Sequence, residues 1–161
     1  MLNGIQLSPS FSLLGKPFSV VVKPRPLKDA RLAAVNTELL AEFGVEDNKQ
    51  TRAQLLTLFS GNETLADYPA RAAVYSGHQF GVYVPQLGDG RALLYAEVLN
   101  KQGQRHQWQL KGGGLTPYSR MGDGRAVLRS TIREYLCSEA MHHLGIPTTR
   151  ALCMVHSQEP V

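Results

Sequence analysis

The sequence predicts an α+β fold. Three observations carry that prediction: helix-patterned segments in the first sixty residues, a middle stretch of short β-patterned runs separated by Gly-rich turns, and one long helical run after them. Strands and helices do not alternate regularly, which argues against a doubly wound parallel sheet. At 161 residues with 43% hydrophobic and 19% charged side chains, the chain is one domain or one large lobe of something bigger. A chain of this length can bury about 70% of its unfolded surface.

Residues 1–28 contain four of the nine prolines and one β-branched run, Ser19-Val20-Val21-Val22, so an extended, irregular lead-in is expected. Asp29 is placed to cap a helix over Ala30–Phe43, with apolar positions at Leu32, Val35, Leu39, Leu40 and Phe43 and a stop at Gly44. A shorter helix is expected over Thr51–Phe59, ended by Ser60-Gly61-Asn62. Residues 61–79 are mixed, with Pro69 and Gly77 as breakers, and the pattern changes at Phe80. The chain therefore divides into an N-terminal extension with helices (1–79) and a lobe (80–161). In the lobe, Val82-Tyr83-Val84 is a strand and Gln86–Gly90 a turn, with Arg91–Leu99 returning as the second arm of a Gly-rich hairpin. Asn100–Gly103 turns again, Arg105–Lys111 forms a third strand, and Gly112–Gly114 break it. A long helix is expected from about Arg125 to Leu144, closed by Gly145 and Pro147, and a last strand over Thr148–Val155.

Composition excludes several function classes. No stretch approaches the roughly 20 apolar residues that span a bilayer. Met1–Gly15 lacks a basic segment followed by an apolar block, so no secretory signal is expected. Two cysteines, Cys137 and Cys153, make neither a disulfide framework nor a metal-ligand spacing, and a cytoplasmic location is the expectation. Cys137, inside the long helix, is expected to be a small core residue. Aromatic residues are 7% and do not interleave with basic ones, which counts against single-stranded nucleic acid as partner.

The charge, 17 basic against 13 acidic residues, is informative only locally. From Lys111 to Arg133 there are five basic residues and one acid, Asp123, a cluster that can attract phosphates or simply form a solvated face. Gly-Asp-Gly-Arg-Ala occurs at 88–92 and again at 122–126, with unmatched flanks and no third copy; two phosphate-contacting loops explain this better than a repeat array. In the first loop Gly88 and Gly90 let backbone N–H groups approach an anion, and Arg91 offers a fork of donors; a purely structural turn is the alternative. In the second loop Asp123 is expected to cap the long helix, whose N-terminus can hold a phosphate with Arg120 or Arg125; an ordinary capping loop is the alternative.

Lys111 ends the third strand. Glu134 lies on the helical stripe of Val127 and Met141, and an acid among apolar neighbours needs a cation. Lys111 can supply it, with Arg129, Arg133 and Arg150 as rivals. A strand lysine paired with a helix glutamate beside a Gly-rich hairpin is the constellation of protein kinases. His78, without a second ligand at metal spacing, is read as a structural hydrogen-bonder.

The runs YSGHQFGVYVPQLGDGRALL and QLKGGGLTPYSRMGDGRAVLRSTIREYLCSEAMHHLGIPTTRAL closely resemble the SelO (YdiU) family, densely over residues 71–152 and more loosely over 25–45. The resemblance implies a protein-kinase-like N-lobe with an αC-like helix and a pseudokinase lacking the usual catalytic-loop aspartate. It implies transfer of AMP from ATP to Ser, Thr or Tyr hydroxyls of proteins, with Mg²⁺ or Mn²⁺. By motif, Gly88, Gly90, Arg91, Lys111, Asp123 and Gly124 are the implied nucleotide contacts, and Glu134 the partner of Lys111. The implied metal ligands, a base aspartate and two more phosphate-binding arginines belong to a C-lobe that this sequence does not include, and no Asn or Asp follows Asp123. The expectation is a truncated or degenerate product, inactive alone, with a basic site and an apolar surface facing the missing lobe. A module that binds a nucleotide without turnover, and less so a conventional kinase, are the rival readings.

Overall fold

A computed structural model describes residues 2, 4–65 and 68–161. The chain is α+β, and among the described residues every strand pairing is antiparallel. In chain order the elements are β1 (Gln6–Leu7), a 3₁₀ turn (Phe11–Leu14), β2 (Ser19–Val21), β3 (Arg31–Val35), α1 (Thr37–Glu42) and α2 (Lys49–Phe59). They continue with β4 (Arg71–Gln79), β5 (Val82–Gly88), β6 (Ala92–Leu99), β7 (Arg105–Lys111), α3 (Leu128–His143) and β8 (Cys153–His156). β6 is the centre of the main sheet. It pairs with β7 along its whole length, and with β1 and β4 besides. β2 joins beyond β4, and β3 pairs with β8 in a separate ribbon.

The lead-in is more ordered than its prolines imply: β1 and β2 add to the sheet. Glu97 on β6 holds the turn between them. Its carboxylate accepts backbone N–H groups of Ser10, Phe11 and Ser12 at 3.0, 2.8 and 3.1 Å, and the Tyr68 hydroxyl at 2.7 Å.

The expected helix over 30–43 is half wrong. Arg31–Val35 is strand, and only Thr37–Glu42 is helix. Asp29 sits at φ 48°, outside any helix. The cap is Asn36, whose side chain accepts the Leu39 N–H, and Gly44 ends the helix at φ 76° as expected. The second helix starts two residues early because Asn48 caps it, accepting from Thr51 N–H at 2.9 Å. Residues 71–79, read as mixed, form the long strand β4; Gly77 sits inside it beside a register shift.

The Gly-rich hairpin also needs correction. β5 pairs with β4, not β6, and the tight turn is Phe80-Gly81, both at positive φ (53° and 78°) between the paired Gln79 and Val82. Gly88-Asp89-Gly90 is the link by which the chain leaves the β4–β5 ribbon and enters β6. The last strand is shorter than expected, and the long helix begins at Leu128, with Val127 at the cap position and no side-chain cap bond.

The core lies between α1–α2 and the sheet. Leu39, Leu40, Phe43, Leu55, Leu58 and Phe59 pack on Leu93, Tyr95, Val98 and Trp108, with Phe43 edge-on to Trp108 at 5.2 Å. No residue of α3 is buried, and Cys137, expected in the core, is exposed on it. No helix among the described residues is long and apolar enough to cross a membrane.

Candidate functional site

The two Gly-Asp-Gly-Arg loops meet at one end of the sheet. Register brings them there: Ala92 pairs with Lys111, so Arg91 enters β6 where β7 ends. The Gly112 N–H donates to the Arg91 carbonyl at 2.7 Å, the Arg91 guanidinium to the Arg125 carbonyl at 3.1 Å, and the Gly114 N–H to the Gly124 carbonyl at 3.2 Å. Residues between the loops complete the lacing. Thr116 Oγ1 donates to the Asp89 carbonyl at 2.6 Å and the Ser119 hydroxyl to the Gly90 carbonyl. Thr116 lies just outside the second loop as the sequence delimits it; its signal is a Thr-Pro-x-Ser run, 116–119, whose hydroxyls bond their own neighbourhood.

The glycines are needed for this approach. A Cβ on Gly88 would overlap the Tyr118 ring, and one on Gly124, at φ 76°, would overlap the Gly114 backbone. Asp89 is fixed in the clasp, accepting the Ala73 N–H at 3.0 Å; burial pushes its carboxyl above the usual range against that hydrogen bond. Asp123 does not cap α3. Its carboxylate accepts the Arg125 N–H at 2.9 Å, two residues on, and the helix begins later.

Lys111 and Glu134 form an ion pair between the end of β7 and α3, with side chains 48% and 51% exposed. The expectation that Glu134 sits among buried apolar neighbours fails, because its helix face is open to solvent. The rivals do not take it: Arg150 binds Glu139 and Glu42 instead. Arg125, offered as a phosphate ligand, is structural. Its side chain is 4% exposed and donates to the carbonyls of Arg25 and Pro26 at 2.8 Å, and to Glu159. Arg120 stays at the surface, bonded to Gln79, beside a groove of about 190 Å³ lined by Gln86, Leu87, Gly88 and 117–120.

Gly88, Gly90, Arg91, Lys111, Asp123, Gly124 and Glu134 thus belong to one end of the fold. Arg91 and Lys111, both exposed residues, bring positive charge there, Arg91 with part of its guanidinium bonded to the Arg125 carbonyl, an arrangement that can attract an anion. Among the described residues no group of three or more His, Cys, Asp or Glu side chains could hold a metal ion.

The family model described as protein adenylyltransferase SelO matches residues 2–161. Proteins named protein nucleotidyltransferase YdiU are similar to this chain: one from Aliivibrio fischeri is 52% identical over 99% of the chain, one from Burkholderia vietnamiensis 54% over 94%, and one from Vibrio parahaemolyticus 56% over 94%. The chain spans about a third of the length of these relatives, 33%, 30% and 30% respectively. A match that runs through both loops, the Lys111 strand and the Glu134 helix shows that the chain belongs to the SelO family.

Proposed function

We propose that this chain is the nucleotide-holding, kinase-like N-lobe of a protein adenylyltransferase that moves AMP from ATP to Ser, Thr or Tyr hydroxyls of proteins. The observation that carries the reading is the Lys111–Glu134 ion pair beside Arg91 at the mouth of the two laced loops. In AMP transfer a protein hydroxyl oxygen attacks the α-phosphorus in line, the bond to the β-phosphate oxygen breaks, and pyrophosphate leaves as the hydroxyl proton is lost. Charge builds on the phosphate oxygens, and preorganised cations lower its cost. Lys111 and Arg91 supply positive charge, and Glu134 holds the Lys111 ammonium in place. Gly88 and Gly90 bring the backbone close to the nucleotide, and Asp123 and Gly124 approach it from the second loop. Mg²⁺ supplies further charge neutralisation when bound, through ligands outside these residues.

The exposed α3 accords with an N-lobe whose helix meets another part of the same protein, and the 161-residue chain alone is expected to be inactive. The test is transfer of α-phosphate-labelled AMP from ATP to protein by the full-length protein, with Lys111→Ala expected to lower it on the order of 10²-fold or more. Saturable ATP binding with no transfer would support the non-catalytic reading instead. Label arriving only from the γ-phosphate would indicate a kinase.

A further inference from the structure

α3 carries Glu134 but has no fully buried residue, so hydrophobic packing contributes little to its position. Its polar attachment is concentrated in Glu139. That carboxylate accepts Arg150 Nη2 at 2.8 Å and Nε at 3.2 Å, the Ala151 N–H at 3.1 Å and the Asn36 amide at 2.7 Å. The Glu139 and Arg150 side chains are only 15% and 12% exposed, far less than Lys111 and Glu134. Burial disfavours the Glu139 charge, but the hydrogen bonds from Arg150, Ala151 and Asn36 outweigh it and hold the carboxyl below the usual range. Arg150 also grips Glu42 at the end of α1, at 2.6 Å. Asn36 works on two helices at once: its carbonyl oxygen caps α1 at Leu39 while its amide donates to Glu139.

We infer that Asn36, Glu139 and Arg150 are positioning residues, a half-buried polar latch that ties α3 to the N-terminal segment and thereby sets Glu134 against Lys111. Glu134 and Glu139 are five residues apart, about 7.5 Å along the helix and about 140° around it. Two anchors so placed fix both the height and the rotation of α3, whereas the exposed pair alone fixes neither. The latch touches no nucleotide contact named above, so it acts only through α3. The inference rests on the proposed role of Lys111 and Glu134.

The test uses the full-length protein with Glu139→Gln and, because that variant removes the charge that Arg150 pairs with, Asn36→Ser, which keeps a side chain able to cap α1 and deletes the amide donor to Glu139. Hydrogen exchange of the α3 amides should rise in both variants while β6 and β7 amides keep their wild-type rates; unchanged α3 exchange overturns the inference. This arm needs no activity, so it decides the latch even if the protein transfers no AMP, a result that would sink only the functional reading. If AMP is transferred, kcat should fall roughly 10- to 100-fold with the KM for ATP little changed. The same substitutions in a Glu134→Gln background should then cost almost nothing more. Full additivity with Glu134→Gln overturns a role exerted through that residue, and partial recovery by Arg150→Lys relative to Arg150→Ala supports it.

Discussion

Gly124 and Glu97 show how much depends on single residues away from the chemistry. Gly124→Ala puts a methyl group into the Gly114 backbone at φ 76°, so it should cost roughly 2–4 kcal/mol. Urea unfolding of the variant measures this; a loss below about 0.5 kcal/mol would mean that the loops part easily. Glu97 is 1% exposed. Burial alone would raise its pKa, but the N–H groups of Ser10, Ser12 and Phe11 and the Tyr68 hydroxyl hold it at about 2, against an ordinary value of 4.5. Its contribution is therefore complete above pH 4.5 and is lost as pH falls toward 2, about 3 kcal/mol in all. Glu97→Gln should lower stability at neutral pH and flatten the acid limb of the stability profile. An unchanged acid limb, read by chemical denaturation from pH 2 to 6, would refute it. The loop residues were legible at this scale because glycine and arginine carry their chemistry locally. Arg125 was misread because sequence gives its charge but not the carbonyls of Arg25 and Pro26 that surround it.

At the scale of elements, β7 and α2 were legible and the segment 30–43 was not. Arg105–Lys111 matches its strand to the residue because polar–apolar alternation and flanking glycines agree. Arg31–Val35 has apolar residues at helical spacing, yet it pairs with Cys153–His156, over a hundred residues away, through a bulge. Long-range pairing overrides local propensity there, and no local signal reports it. The β4–β5 ribbon was missed for a related reason. Asp-Gly at 89–90 is the stronger hairpin signal, but Phe80-Gly81 makes the turn, with a non-glycine residue at φ 53°. Helix caps are a tractable test at this scale. Asn48 caps α2 alone, whereas Asn36 also binds α3. Asn48→Ala should cost about 1 kcal/mol, and Asn36→Ala more because a hydrogen-bond partner of Glu139 goes too. Equal losses in thermal unfolding would mean that the Asn36–Glu139 bond contributes nothing to stability.

Over the whole molecule, stability and the candidate site are carried by different surfaces. The hydrophobic core joins α1 and α2 to β6 and β7, while α3 lies outside it with Leu128, Ile132, Leu136 and Leu144 at 43%, 40%, 63% and 73% exposure. The sequence leads one to expect an apolar surface facing a missing lobe but does not place it on α3, because helical periodicity marks an apolar stripe without saying what covers it. Since these side chains bury little, removing them should barely affect the fold of the 161-residue chain. Leu136→Ser with Leu144→Ser is expected to change its unfolding free energy by less than about 0.5 kcal/mol, as for surface positions generally. Leu40→Ala, at a site with no exposure, should cost about 2–5 kcal/mol. The same serine pair should reduce concentration-dependent association of the chain, read by light scattering, because contiguous exposed apolar patches promote it. If the serine pair unfolds the chain as Leu40→Ala does, α3 belongs to the core after all. The separation of a hydrophobically packed sheet-and-helix body from a helix joined to it by polar contacts would then be wrong.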